Sequence, residues 1–359
     1  MINVTKTFLP PRHELDKYID KIYETNWLTN FGQLEQLLTN RLKDYLEVEN
    51  LLLVSNGTLA MQVVYKALGL SGEVITTPFS FVATTSSLVW EGLIPIYADI
   101  DPISLTINPD NILPLITDKT SAILGVHVYG RPCKVHEIQR IAMANKLKVI
   151  YDGAHAFNVK TIENKNLLSY GDASTISFHS TKLFHAIEGG AIISNDVNLI
   201  KECKKLINFG ITGYDKIEGL GINAKMNEFS AAMGLAVLDN IDQIIAGRQK
   251  VYEAYCQLLP KEILLEPISF ANCNYSYFPI ILTSEEQLLK IRQTLLDSDI
   301  MPRRYFHPSL DTLPYTNYNN CPLSQDISKR ILCLPMFNDL LVSKIEQITK
   351  TINTRLKEV

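Results

Sequence analysis

Short apolar runs alternate with helix-patterned stretches through most of the first two thirds of this 359-residue chain, and that alternation restricts the fold more than any other feature. Residues 51–54, 73–77, 93–98, 122–128, 148–152, 173–178 and 191–194 have the length and composition of short strands, and 59–68, 82–91 and 134–145 carry apolar residues at helical spacing. Strands that alternate with helices build a mostly parallel sheet covered on both faces, so the expected class is α/β. With 46% hydrophobic residues the chain is long enough for two domains. The expected division is a large α/β domain over residues 1–240, including an amino-terminal segment, and a smaller carboxyl-terminal α+β domain over 241–359. A helical region over 227–259, broken near Gly247, is expected to join them. Beyond it, 277–282 reads as a strand and 284–297 as a helix. The aromatic and proline-rich stretches 301–318 and 321–337 read as loops that fold over the site, and they carry Arg303, Arg304 and His307.

Three segments carry the chemistry. Lys182 closes Ser177-Phe178-His179-Ser180-Thr181-Lys182, just after an apolar run and just before Glu188-Gly189-Gly190-Ala191. A lysine taken alone is a solvated charge. A partly buried one beside other positive groups loses its proton readily and becomes a nucleophile able to form an imine. Asp152 ends the apolar run 147–151, at the carboxyl end of a buried strand, where open α/β sheets hold their ligands. By itself it would be a turn or cap aspartate. Beside an imine-forming lysine, it is the anion that keeps a pyridine nitrogen protonated, and His155 is in range of a phenolic oxygen on the same ring. The third segment is strand 51–54, the turn Ser55-Asn56-Gly57-Thr58 and the helix after it. The first amides of a helix have no internal acceptor and the macrodipole favours negative charge there, so Gly57, Thr58 and Leu59 make an anion site. Ser177 adds a hydroxyl where the chain bends back. Amine, carboxylate and anion cradle answer the aldehyde, ring nitrogen and phosphate of pyridoxal 5′-phosphate, which alternates with pyridoxamine 5′-phosphate in amino-group transfer.

The chain resembles the DegT/DnrJ/EryC1/StrS sugar aminotransferases nearly end to end. The likeness runs through Trp27-Leu28-Thr29-Asn30-Phe31-Gly32, Ser55 to Ala60, Pro78 to Thr84 with Gly92, Pro95 to Asp101, His127-Val128-Tyr129-Gly130, Asp152 to His155, the Lys182 segment, Gly221-Ile222-Asn223 and Leu334-Pro335-Met336. The resemblance implies a fold-type I pyridoxal-phosphate transferase. It implies that Phe81 stacks on the pyridine ring and that Asn223 reaches the phosphate of a neighbouring subunit, which makes the protein a homodimer with shared sites. It also implies a nucleotide-linked keto sugar as acceptor and glutamate as donor. A lysine at 182 separates the chain from relatives that dehydrate sugars and carry histidine there. The form of the Lys182 segment is closer to the branch that aminates C4 of a dTDP-linked 4-keto-6-deoxyhexose than to the C3-specific branch. In two respects the chain departs from the pattern: Leu183-Phe184-His185-Ala186-Ile187 stands where the family commonly has asparagine and glycines, which predicts a bulkier, more apolar loop beside the cofactor, and Ala224 and Lys225 follow Asn223 where an aromatic and an arginine are frequent.

Composition removes other classes. A formal charge of −4 excludes a general basic surface and argues against nucleic acid as a partner. Six cysteines without a CxxC pair read as reduced thiols and not as a disulfide frame or zinc site. No run approaches the roughly 18 apolar residues of a membrane span, and the first residues lack a signal-peptide pattern, so a cytoplasmic location is expected. Gly219-Leu220-Gly221-Ile222-Asn223-Ala224 imitates a dinucleotide fingerprint, but no buried strand precedes it. A lyase or desulfurase acting on amino acids would share the cofactor groups, yet it calls for a clear carboxylate-binding arginine or a reactive loop cysteine. A non-catalytic regulator would leave the full cofactor set without a purpose.

Overall fold

The computed structural model describes residues 1–317 and 320–357; Tyr318, at the end of the first expected loop, lies outside the described residues. Seven strands form one sheet in the spatial order Leu51–Val54, Gly190–Ile193, Ala173–Ser177, Lys148–Asp152, Thr120–Val126, Glu73–Thr76 and Ile94–Tyr97. Only Gly190–Ile193 runs antiparallel to its neighbours; the other pairings are parallel. Side chains alternate across a strand, so each apolar run divides between two cores. Leu51 and Leu53 pack with the helices Gln33–Leu46, Val135–Asn145 and Glu228–Leu238, whereas Leu52 and Val54 pack with Gly57–Ala67 and Val197–Leu206. Both faces are therefore covered, as expected of a parallel sheet.

The predicted helical region over 227–259 is two helices, Glu228–Leu238 and Ile241–Leu258, bent by 61°. The break falls at Asp239 and Asn240, not near Gly247. Groups remote in sequence hold it: Asp239 accepts from Arg41 Nη1 at 2.7 Å and from the Tyr18 hydroxyl at 2.9 Å, and Asn240 Nδ2 donates to Glu14 at 2.7 Å. Gly247 lies inside the second helix because a Cβ there would stand 2.5 Å from the Asn338 carbonyl oxygen. Glu228–Leu238 is apolar all round because nearly every residue in it is buried in the core. Among the described residues no single helix is long and apolar enough to cross a membrane.

A separate apolar cluster joins Ile241–Leu258, Glu285–Leu296 and Val342–Leu356 to the antiparallel strands Phe278–Ile281 and Ile331–Leu334. The amino terminus joins this layer, with Ile2–Asn3 parallel to Ile300–Met301. The stretch 321–337 is not the loop its prolines and aromatics suggest; it holds the helix Pro322–Arg330 and the strand Ile331–Leu334. Pro322 opens the helix, where no amide hydrogen is needed. The Asp99 carboxylate, far off in the chain, accepts from the amides of Leu323 and Ser324 at 2.9 Å each.

Candidate active site

Strands Lys148–Asp152 and Ala173–Ser177 both end at a cavity of about 800 Å³. Gly57, Thr58, Leu59, Phe81, Asp152, His155, Ser177 and Lys182 all line it, so segments more than a hundred residues apart meet where the sheet's parallel strands terminate. Burial lowers the Lys182 amine from 10.5 to about 8, against the opposing pull of Asp152. A substantial neutral fraction is thus present near neutral pH. Its Nζ donates to the Tyr277 hydroxyl at 3.3 Å.

Asp152 is 7% exposed. Burial raises its pKa above the ordinary carboxylate value, and the hydrogen bonds from Thr84 Oγ1 at 2.9 Å and the Ala154 amide at 3.0 Å, together with Lys182, oppose the rise. The His155 Nδ1 accepts from the Tyr129 amide at 3.1 Å, which leaves the ring proton on Nε2. Burial holds that ring neutral, well below the ordinary histidine value. Nε2–H is thus a fixed donor on the cavity wall.

The anion cradle is tighter than the sequence indicates. Asn56 caps the helix Gly57–Ala67, its Oδ1 accepting from the Leu59 amide at 2.8 Å. Leu59 lines the cavity but its amide is taken, which leaves Gly57 and Thr58 to offer theirs. The chain does bend back to bring Ser177 here: a Cβ on Gly57 would stand 2.9 Å from Ser177 Cβ. Phe81, 54% exposed, presents its ring to the cavity just before the helix Val82–Trp90. An exposed phenylalanine inside a concave site leaves a face free for a flat heterocycle. A partly buried amine, a buried carboxylate, a neutral histidine donor, two uncommitted amides and an open aromatic face fit pyridoxal 5′-phosphate group by group.

Asn223 does not line this cavity. It is exposed, bridged to Asn208 in a loop that doubles back on itself. Arg303 lines the cavity and makes no ion pair among the described residues. Arg304 instead binds Glu285 at 2.6 Å and contacts His307. Leu183, Phe184 and Ala186 are not the bulky cavity loop expected. They are buried, with Phe184 stacked on Phe157 at 4.8 Å, because the apolar core beneath the site takes them up.

A sequence-family model for the DegT/DnrJ/EryC1/StrS aminotransferases matches residues 11–353. The chain belongs to that family. It is 41% identical to a dTDP-4-amino-4,6-dideoxy-D-glucose transaminase of Shigella dysenteriae, over 98% of each chain. An Escherichia coli protein of the same description is 37% identical, again over 98% of both. Among solved structures, DesI crystallised with its TDP-sugar product superposes with a TM-score of 0.93 at 29% identity, covering 99% of this chain and 92% of that one. The fold is that of the sugar aminotransferases of this family.

The family likeness takes in Thr84 without giving it a role, and Arg303 falls in the loop expected over the site, but neither singles out Tyr277, Tyr305 or Phe306; all five face or support the cavity. Thr84 sits on a helix face that would be read as core packing, and Tyr277 immediately precedes a strand. Neither carries a local signal of its role.

Proposed function

We propose that this family member transfers an amino group from glutamate to dTDP-4-keto-6-deoxyglucose, yielding dTDP-4-amino-4,6-dideoxyglucose, with pyridoxal 5′-phosphate as cofactor. The observation that carries the reading is the Lys182 amine, held near 8 in the same cavity as the buried Asp152 carboxylate. The two relatives that match 98% of the chain support the dTDP sugar and C4 over C3. When bound, the cofactor supplies an aldehyde to take up the amino group and a ring that accepts electron density as a bond at carbon breaks.

The protein's own groups account for the rest. Lys182 Nζ holds the resting cofactor. When free, the same amine would be the base that takes the donor's Cα proton, and with the keto sugar it would return one. Asp152, short of water and pinned by Thr84 and Ala154, presents a negative charge to the ring nitrogen. The His155 Nε2–H donates to the phenolic oxygen, Phe81 covers the ring face, and the Gly57 and Thr58 amides with Ser177 hold the phosphate. Arg303, without an ion pair among the described residues and facing the cavity, suits a substrate anion.

The reading includes a homodimer in which Asn223 reaches the partner's phosphate. Its support is the exposed apolar set beside Asn223: Tyr214, Ile217 and Leu220 are 103%, 73% and 90% exposed, a patch that suits a protein contact. The separate apolar core around Val251 to Ile352 supports domains over 1–240 and 241–359. Six unpaired cysteines favour the reducing cytoplasm.

A visible spectrum of the purified protein tests the reading. Glutamate should abolish the cofactor's long-wavelength band, and dTDP-4-keto-6-deoxyglucose should restore it. No band after supplying the cofactor would refute the role of Lys182; a band that glutamate changes but the keto sugar does not restore would refute the acceptor.

A further inference from the structure

The one hydrogen bond that the Lys182 amine makes among the described residues crosses from the large sheet to the second layer. Its acceptor is the hydroxyl of Tyr277, at 3.3 Å, immediately before the strand Phe278–Ile281. The tyrosine is rigidly mounted. Asn274 Nδ2 donates to the carbonyls of His155 at 2.8 Å and Phe157 at 2.9 Å, which ties residues 274–277 to the loop after Asp152. From the other side Arg248, 3% exposed and without a carboxylate partner among the described residues, donates to the carbonyls of Ser276 at 3.2 Å and Tyr275 at 3.4 Å. The ring itself packs on His155 at 4.6 Å, Tyr129 at 5.6 Å and Tyr305 at 5.9 Å.

A lysine released from covalent attachment is a charge on a four-carbon stem with many rotamers. A proton shuttle between two nearby carbons needs that amine kept in place, since small displacements in a reacting pair cost large factors in rate. We infer that Tyr277 is the positioning residue for the Lys182 amine, its fixed hydroxyl holding the released group beside the reacting carbons. The inference rests on the transaminase reading, and it assigns the second layer a direct part in the chemistry.

Tyr277→Phe keeps the ring and removes the acceptor. In cofactor-free protein, the titration of the Lys182 amine is read from the pH dependence of its acetylation, mapped by mass spectrometry. The parent midpoint is expected near 8. Losing an acceptor that favours the ammonium form should lower it by about one unit. In turnover, kcat should fall about tenfold with KM for both substrates little changed. An unchanged midpoint in a folded Tyr277→Phe protein overturns the inference. If that variant does not fold, Asn274→Ala decides, because it leaves the hydroxyl but cuts three bonds from its mount: a lowered midpoint supports the role and an unchanged one refutes it. Tyr252→Phe, away from the amine, is the control. The acetylation measurement does not depend on transamination, so failure of the proposed function, seen as parent protein without covalent cofactor at Lys182 after borohydride reduction, is distinct from failure of the Tyr277 role.

Discussion

Replacing Gly57 with alanine should weaken binding through the cofactor's phosphate and spare the contacts to its ring. The new Cβ would stand 2.9 Å from Ser177 Cβ and 3.2 Å from Ser177 Cα. Carbon atoms pack at about 3.5–4.0 Å, so the helix start and the strand end must separate by roughly half an ångström or more. Neither yields easily. Gly57 opens a helix capped by Asn56, Ser177 pairs with Gly190 in the sheet, and a Cβ on Gly190 would already lie 2.8 Å from the Gly57 nitrogen. Overpacking of this kind costs about 1–3 kcal/mol. Empty protein can relieve it by shifting the helix start, whereas a bound phosphate requires the amides back in position. The penalty then appears as an affinity loss of about 5- to 150-fold. Titrating cofactor-free protein with pyridoxal 5′-phosphate and with pyridoxal, which lacks the phosphate, separates the two contributions. The first affinity should fall and the second should hold. Parent-like affinity for the phosphate form, or equal loss of both, would refute the anion cradle.

Asp152→Asn should retain the cofactor, because an amide can still accept from Ala154 and face Thr84, while slowing single-turnover transfer at least about a hundredfold through loss of the charge at the ring nitrogen; a rate within tenfold of parent would contradict the assignment. Lys182→Met should change how stability depends on pH. The folded amine titrates near 8 and the unfolded one near 10.5, so burial costs the parent stability that is fully lost below 8 and restored as pH rises through 10.5. In cofactor-free protein the parent's melting temperature should therefore gain on that of Lys182→Met between pH 8 and 10, and parallel curves would disprove the buried amine. For the shared site, Lys182→Ala and Asn223→Ala proteins, each inactive alone, should recover activity when unfolded and refolded together. Recovery requires one intact site per mixed dimer, and its absence in demonstrated mixed dimers would rule out a role for Asn223 across the interface.

Much of this architecture was legible from local patterns, because a strand buried on both faces has little choice of residue. The run 51–54 and the run 148–152 match their strands to the residue, and the strand, glycine turn and helix at Gly57 declare an anion site without tertiary knowledge. Where the reading erred, the deciding group was distant. The helix break at Asp239 depends on Arg41, Tyr18 and Glu14. The helix after Pro322 takes its cap from Asp99. Phe184 is apolar for the core under the site and not for the cavity.

The site divides in the same way. Residue type and order along the chain determined that an amine at Lys182, a carboxylate at Asp152 and a glycine turn at Gly57 together suit an anionic pyridine aldehyde, since each functional group answers one part of such a molecule. Tertiary structure alone decided that Thr84 braces Asp152, that Asn56 rather than a ligand takes the Leu59 amide, that the His155 proton lies on Nε2, and that Tyr277 touches the Lys182 amine. Hydrogen-bond partners are chosen by proximity in space, and proximity between residues 84 and 152, or 182 and 277, exists only after the sheet has brought its strand ends together and the second layer has closed against them.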